Sequence, residues 1–197
     1  MVLDAPTPRR REIEDAASAL FRRNGYPATS IRDIASALAI RGPSLYAHVT
    51  SKEDVLWAIV DRAASRFEAA ADKAEQTSPS DPPARIAALV RSHVDVVTAD
   101  PGEASVFVAE WRHLSRDRRA EILRRRDAYE LRFRRAITDG MATGTFAMTD
   151  PAIAASFLLS ALNGTATWYR PDGHLGRDRI ADYHADLAVR SLTETAR

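Results

Sequence analysis

The 197-residue sequence contains no cysteine and no long apolar run. Without cysteine the chain forms no disulfide and has no thiolate nucleophile or cysteine metal ligand, which is typical of a protein from a reducing cytoplasm. The longest apolar stretch, residues 152–162, contains serines and is shorter than the ~20 residues that span a bilayer. Residues 1–11 lack the apolar core of a signal peptide. We therefore expect a cytoplasmic protein, neither secreted nor embedded in a membrane.

Lysine is also scarce, since 26 of the 28 basic side chains are arginine, and the formal net charge is only +1. This small sum hides an uneven distribution. Residues 1–52 hold 8 basic and 5 acidic side chains, and residues 112–135 hold 10 arginines and 4 acidic side chains. The near-neutral total therefore does not exclude nucleic-acid binding. It predicts weak non-specific binding and an affinity that depends on a few well-placed contacts.

Strand-like alternation of β-branched residues is nearly absent, whereas apolar residues recur at helical spacing along the whole chain. We predict an all-α fold of about nine helices. The first helix covers residues 9–23 and ends at Asn24-Gly25, where glycine supplies a positive-φ stop. Ser30 and Asp33 have the spacing of a capping box and predict the start of a short second helix.

Two further signals mark the next helix starts. Gly42-Pro43 opens a third helix, because proline is favoured in the first turn, and this helix is predicted to end near residues 48–49. Ser51 with Asp54 caps a long fourth helix. The first four helices thus predict a small N-terminal bundle.

A linker is predicted at residues 77–83, because its prolines do not fit inside a helix. The five helices predicted after it lie at residues 84–99, 103–114, 116–142, 151–169 and 177–195. We therefore expect an N-terminal domain at residues 8–67 and a larger C-terminal helical domain at residues 68–197.

The second and third helices, joined by a short turn, have the arrangement of a helix-turn-helix at about residues 31–50. The second helix of such a pair fits the DNA major groove. Hydroxyl, imidazole and ammonium groups suited to phosphate contacts surround it. They belong to Thr29, Ser30, Tyr46, His48 and Lys52.

This region resembles the TetR family of bacterial transcriptional regulators. The residues that carry the resemblance span positions 16–53: Ala16-Ala17, Leu20-Phe21, Gly25-Tyr26, Thr29-Ser30-Ile31-Arg32-Asp33-Ile34-Ala35, Ser44-Leu45-Tyr46-Ala47-His48 and Ser51-Lys52-Glu53. The resemblance implies that Thr29, Tyr46, His48 and Lys52 hold phosphates. It also implies that the residues at the start of the third helix meet base edges, namely Arg41, Gly42, Pro43 and Ser44. Arg32 either joins these DNA contacts or lies on a solvated helix face.

Three residues depart from the family pattern. Ala39 replaces a glycine, so the turn is either less tight or holds alanine in a strained conformation. Arg41 replaces a small capping hydroxyl, so the third helix loses its usual cap, although the guanidinium reaches a guanine or a phosphate instead. Val49 replaces a phenylalanine and provides a smaller apolar anchor.

Specific DNA sites are read by dimers, because one short helix contacts too few bases. The predicted helix at 151–169 is apolar nearly all round and must be covered on every side, by its own domain and by a second subunit. A monomeric bundle is the alternative. The residues expected at an isologous interface are Phe157, Leu158, Ile180, Tyr183, His184 and Leu187.

The C-terminal domain is expected to bind a small molecule. Arg126 falls inside the apolar face of helix 116–142, where it pairs either with Glu130 or with an anionic ligand. His93 and Trp111 are either ligand contacts or core residues, and Asn163 serves a pocket or an interface. The candidate ligand-binding residues are His93, Trp111, Arg126, Tyr129, Phe133, Asn163 and Trp168.

The segment at 168–182 also resembles the branch of TetR regulators that control fatty-acid and sterol catabolism. Several members of that branch respond to acyl-CoA thioesters. The resemblance implies an apolar, anionic effector. The ten arginines between residues 112 and 135 either meet its charges or form a solvated face.

Enzyme motifs are lacking, because the glycines at 140 and 144 have no lysine of a phosphate loop and no close carboxylate pair or Ser/His/Asp pattern stands out. We predict no catalytic residue, no metal and no cofactor. Our hypothesis is a homodimeric repressor released from a palindromic DNA operator by a small-molecule effector. The alternatives are a helical ligand-binding module that acts through a protein partner without reading DNA, and an all-α enzyme.

Overall fold

The computed structural model describes residues 7–77 and 80–193, and in these ranges the regular structure is helical, without a β-strand. This confirms the all-α prediction. The helices are α1 (Pro8–Asn24), α2 (Ile31–Ala37), α3 (Gly42–Tyr46), α4 (Lys52–Thr77), α5 (Pro82–Ala99), α6 (Pro101–Ala109), α7 (Arg116–Ala142), α8 (Pro151–Trp168) and α9 (Arg177–Thr193). The predicted extension of the last helix to residue 195 and part of the predicted linker lie outside the described residues.

The predicted helix signals of the N-terminal part are confirmed by the hydrogen bonds. Gly25 ends α1 with a φ of +82° and donates its N–H to the carbonyl of Phe21 at 2.8 Å. The capping box of α2 is present in both directions between Ser30 and Asp33. The Ser51 hydroxyl accepts the N–H of Asp54 at 3.0 Å, as expected for the start of α4.

Three predicted boundaries were wrong by a few residues. Helix α5 begins at Pro82, since prolines are accommodated in a first turn whose N–H groups need no helical partner. Helix α6 ends at Ala109 and is followed by a 3₁₀ turn, Trp111–His113. Side chains three residues apart share a face in a 3₁₀ turn as well, so the apolar spacing predicted a longer α-helix. Helix α3 ends at Tyr46, slightly before the predicted end.

The described residues form two compact units. The first contains residues 7–63 and 102–122, and the second contains residues 64–77, 80–101 and 123–193. The core of the first unit is apolar and fully buried. Its largest members are Ile13, Phe21, Ile34, Leu45, Leu56 and Ile59.

In the second unit α5 packs mainly against α9 and α8. The core consists of apolar residues from these helices and the C-terminal part of α7. Gly140 is required there, because a Cβ at this position would collide with the ring of Phe146. Within the ranges described, no helix has the length and apolarity needed to cross a membrane, and no three His, Asp or Glu side chains gather as metal ligands.

Candidate DNA-binding and effector sites

The turn between α2 and α3 is tight, and an alanine adopts its left-handed conformation. Ala39 has a φ of +54° and is the one non-glycine residue with a positive φ among the residues described. Its N–H donates to the carbonyl of Ser36 and the N–H of Ile40 donates to that of Ala35, both at 3.0 Å. The sequence left open a looser turn or a strained alanine, and the structure has the strained alanine.

Helix α3 turns its N-terminal end outward. Arg41 occupies the N-cap position without a side-chain cap, as predicted, and is exposed together with Pro43 and Ser44. A side chain at Gly42 would meet only open space. The opposite face is anchored by Leu45 and Val49, which are both buried, and for Val49 this confirms the predicted apolar anchor.

The other predicted DNA contacts differ in their accessibility. Tyr46 has 57% of its surface exposed, Arg32 and Ser30 are exposed, and His48 is half-buried. Thr29 is the exception, with 1% of its surface exposed and its hydroxyl donating to the carbonyl of Gly25 at 2.9 Å. Its predicted side-chain contact with phosphate therefore does not fit the structure, because the hydroxyl is already used inside the protein.

Lys52 also uses its side chain within the protein. Its Nζ donates to the carbonyl of Tyr26 at 2.8 Å and to that of Thr29 at 2.7 Å, and it lies 4.1 Å from the centre of the Tyr26 ring. Burial lowers the pKa of Lys52. The ammonium thus fastens the start of α4 to the loop between α1 and α2.

A buried ionic cluster connects α1, α4 and α6 in the first unit. Arg62 pairs with Glu14, with Glu103 at 2.6 Å and with Asp15 at 3.4 Å, and both Glu14 and Glu103 are buried. Arg10 adds a 3.1 Å bond to Glu14. This cluster was not predicted, although the position of Glu14 on the apolar face of α1, one turn before buried residues, is a signal for a paired carboxylate.

Several arginines of the basic stretch are engaged by carboxylates. In the first unit Arg118 pairs with Glu53 at 3.3 Å. In the second unit Arg125 pairs with Glu68 at 2.7 Å, and Arg132 pairs with Asp72 at 2.5 Å. The seven-residue spacing places these three arginines on one side of α7, which is the signal in the sequence for their shared pairing with carboxylates. They serve internal contacts rather than an open anion-binding face.

The second unit brings five of the predicted ligand residues together. His93 of α5 is buried, and its Nδ1 lies 3.1 Å from the hydroxyl of Tyr129 on α7. The Tyr129 and Phe133 rings are 5.8 Å apart. Burial lowers the pKa of His93 to about 3. The side-chain amide of Asn163 opposes this shift, and the charge of Arg126 adds to it.

Phe67 of α4 completes this cluster and was not among the predicted residues. Its ring centre lies 4.7 Å from that of His93 and 5.9 Å from that of Tyr129. Hereafter the effector cluster denotes Phe67, His93, Arg126, Tyr129, Phe133 and Asn163. The sequence signal for Phe67 was its position at the end of the buried stripe of α4.

Two predicted ligand residues lie outside the effector cluster. Trp111 belongs to the first unit and is buried there. Trp168 is about half exposed and stacks on His184, with ring centres 6.3 Å apart. The pairing of Arg126 with Glu130 stays a prediction.

An apolar surface runs along α8 and α9. Its five residues, named the α8/α9 face here, are mostly exposed: Ile153, Phe157, Trp168, Tyr183 and Leu187. His184, also predicted at the interface, is half-buried and hydrogen-bonds to the carbonyl of Ile180 at 2.9 Å. Leu158 and Ile180 were expected at an interface, but only 5% and 3% of their surfaces are exposed, because they face the core of their own unit.

The chain matches two models of the same protein family. Residues 13–59 match "Bacterial regulatory proteins, tetR family", and residues 79–192 match "Tetracyclin repressor-like, C-terminal domain". The transcriptional repressor KstR2 of Rhodococcus jostii is 28% identical over 193 residues, which cover 93% of this chain and 91% of that protein.

Solved structures agree with this match. The TetR-family regulator PfmR of Thermus thermophilus is 32% identical, with a TM-score of 0.80 and coverage of 91% of this chain and 97% of that one. AibR, solved in complex with isovaleryl coenzyme A and operator DNA, is 28% identical, with a TM-score of 0.80 and coverage of 94% and 98%. The chain therefore belongs to the TetR family of bacterial DNA-binding transcriptional regulators, as its resemblance predicts.

Proposed function

We propose that this protein is a homodimeric repressor that binds a palindromic operator and leaves it when an apolar, anionic ligand of the acyl-CoA type binds its second unit. The observation that carries the proposal is the helix α3, which is anchored by a buried face and turns its uncapped N-terminal end and Tyr46 to solvent. A short helix presented in this way suits reading of the major groove.

The DNA contacts divide into two groups. Arg41, Pro43 and Ser44 meet base edges, and Arg41 is the residue that selects a guanine. Ser30, Arg32, Tyr46 and His48 hold phosphates and set the register of the helix in the groove. Thr29 and Lys52 support this arrangement from inside the protein.

The dimer forms through the α8/α9 face. Five large apolar residues exposed on two neighbouring helices are more than a soluble surface ordinarily leaves uncovered. A two-fold axis through this face covers both copies of it at once, and a dimer supplies the two α3 helices that a palindromic operator requires.

The ligand acts through differential affinity. The effector cluster offers aromatic surface, a polar imidazole and an arginine, which suits an apolar acyl group with a polar end. AibR, a relative of similar length, was solved with isovaleryl coenzyme A and operator DNA together. A ligand that binds the DNA-free conformation more tightly than the DNA-bound one shifts the equilibrium towards release.

The direct test is fluorescence anisotropy with the DNA upstream of the protein's own gene and a scrambled duplex of equal composition, at several salt concentrations. We expect the native duplex to bind about a thousandfold more tightly or better. Isovaleryl coenzyme A, with free coenzyme A as the control, then tests release. Equal affinity for the two duplexes would contradict DNA reading, and release by free coenzyme A alone would contradict recognition of an acyl group.

A further inference from the structure

The imidazole of His93 has one nitrogen in a hydrogen bond and the other without one. Nδ1 lies 3.1 Å from the hydroxyl of Tyr129. Nε2 is buried and has no partner at hydrogen-bond distance and angle among residues 7–77 and 80–193, although the amide of Asn163 lies close enough to oppose the fall in the His93 pKa. A buried polar atom in this state is uncommon and requires an explanation, such as a ligand.

The hydrogen bond with Tyr129 indicates which nitrogen carries the proton. If the Tyr129 hydroxyl donates to Nδ1, its hydrogen is used and Nε2 carries the remaining proton. If Nδ1 donates instead, both the hydroxyl hydrogen and the lone pair of Nε2 are left without partners in the described structure. The first arrangement leaves fewer buried groups unsatisfied, so Nε2 is an N–H donor in need of an acceptor.

The surroundings narrow the chemical class of that acceptor. Aromatic rings of Phe67 and Tyr129 lie 4.7 and 5.8 Å from the His93 ring and favour an apolar ligand body. The charge of Arg126 adds to the burial that lowers the pKa of His93, so the imidazole beside the ligand is neutral. An oxygen atom that only accepts hydrogen bonds, carried on an apolar body, fits these constraints.

We infer that His93 Nε2 donates a hydrogen bond to the carbonyl oxygen of an apolar effector seated against Phe67 and Tyr129. The inference rests on the proposed function, since it identifies the polar contact of the ligand to which the repressor responds. The carbonyl belongs to a ketone or to an acyl thioester, which share this acceptor chemistry. An ammonium group at the same place is excluded by the donor character of Nε2, because it has no lone pair to accept the bond.

The first measurement uses the full-length wild-type protein with ¹⁵N-labelled histidine. Two-bond ¹H–¹⁵N spectra distinguish the two neutral tautomers of His93 directly. We expect the proton on Nε2. A proton on Nδ1 overturns the inference, because Nε2 is then an acceptor.

The second measurement titrates four probes that share a six-membered ring, three of them of equal size and the thioester larger, into the same sample. Cyclohexanone supplies a ketone oxygen, methylenecyclohexane replaces this oxygen by a CH₂ group, S-ethyl cyclohexanecarbothioate supplies a thioester carbonyl, and cyclohexylammonium supplies a cation. We expect a carbonyl probe to move the Nε2–H resonance and methylenecyclohexane to bind about tenfold more weakly than cyclohexanone. A response to cyclohexanone alone assigns the site to ketones, and a response to the thioester alone assigns it to acyl thioesters.

Three results overturn the inference. The first is an Nε2–H resonance that neither carbonyl probe moves, because a buried water or the neighbouring Asn163 amide holds the proton. The second is equal affinity for cyclohexanone and methylenecyclohexane. The third is a response to cyclohexylammonium. Operator binding by the same wild-type protein is measured in parallel. If it is intact while the probes fail, only this inference is lost, whereas absent operator binding contradicts the proposed function itself.

Variants provide an independent readout. In the double variant His93→Phe with Tyr129→Phe both hydrogen-bonding partners are replaced by apolar groups of similar shape, which preserves packing better than removal of one partner. We expect its preference for cyclohexanone over methylenecyclohexane to fall to about equal affinity. An unchanged preference overturns the assignment. The single variant His93→Phe removes Nε2 but keeps Tyr129 and is expected to lose the preference as well, which tests the same point if the double variant does not fold.

Discussion

The ammonium of Lys52 lies 4.1 Å from the centre of the Tyr26 ring and donates a 2.8 Å hydrogen bond to the carbonyl of the same residue. A second bond reaches the carbonyl of Thr29 at 2.7 Å. Lys52 therefore uses its ammonium for hydrogen bonds within the protein. Its contribution to DNA binding is expected to come from the position of the loop rather than from charge.

Lys52→Met is therefore expected to lower both the operator affinity and the Tm while leaving the salt dependence of binding unchanged. The matched control is Arg32→Gln, which removes an exposed positive charge beside α3. This control is expected to reduce the slope of log K against log[salt] by about 0.9 for each subunit, because each subunit loses one phosphate contact. Anisotropy titrations at several salt concentrations measure both slopes. An equal loss of slope in the two variants would show that Lys52 contacts phosphate.

Ala39→Gly is expected to stabilise the protein. Alanine at a φ of +54° carries the strain of the left-handed conformation, about 1–2 kcal/mol, and glycine does not. The greater entropy of glycine in the unfolded chain offsets about 0.4–1 kcal/mol of this gain. Denaturant unfolding measures the difference, with Ala69→Gly on the exposed side of α4 as the control that loses about 1 kcal/mol. A destabilised Ala39→Gly variant would mean that the turn is not strained.

Arg62→Met is expected to lower the free energy of unfolding by about 3 kcal/mol, because it removes the guanidinium from two buried carboxylates. The control is Arg91→Met, since the Arg91–Asp182 pair is exposed on both sides and contributes at most about 1 kcal/mol. Equilibrium unfolding in urea compares the two. Equal losses would show that the buried cluster contributes no more than a surface ion pair.

Leu187→Glu is expected to separate the dimer. A two-fold axis through the α8/α9 face brings each introduced carboxylate near its copy, and such like charges weaken association about a hundredfold or more. Sedimentation equilibrium measures the effect, and operator affinity is expected to fall with it. Leu123→Glu, at a partly exposed leucine of α7, is the control and is expected to leave the dimer intact. A dimer of unchanged strength in Leu187→Glu would place the interface elsewhere.

His93 is expected to make the protein less stable in acid. Its pKa is about 3 in the folded protein, below the ordinary value of 6.5, so between these values the unfolded chain binds a proton that the folded chain does not. The contribution of His93 to the free energy of unfolding is therefore fully present above the unfolded pKa. It falls as the pH decreases below that value, by at most about 1.4 kcal/mol per pH unit. His93→Gln has no titrating ring and is expected to show a flatter dependence in urea titrations over this range. Parallel profiles would contradict a neutral, buried imidazole.

The sequence was sufficient wherever the decisive interaction was local. The capping box of Ser30 and Asp33 and the glycine stop after α1 join residues a few positions apart, so their pattern determines the structure directly. The helix-turn-helix and its family were likewise recognisable from one continuous stretch. At Ala39 the departure from that pattern located the turn, and the φ of +54° then decided between a looser turn and a strained alanine.

The sequence was insufficient where a residue's partner came from another helix. Helical spacing marks an apolar face but does not say what covers it, so Phe157 and Leu158 were placed together although one is exposed and the other is buried. Lys52 has the chemistry of a phosphate contact, and only folding brings its ammonium to the backbone carbonyls of Tyr26 and Thr29 instead.

The sequence by itself thus determined the helices, the family and the residue types of the two sites. The tertiary structure decided which of these groups stay available for a partner, because burial and hydrogen bonding depend on helices distant in the chain. Nε2 of His93 is the sharpest case. Its lack of a partner at hydrogen-bond distance within the described part of the chain arises only once α5 and α7 are packed and Tyr129 lies at the other nitrogen.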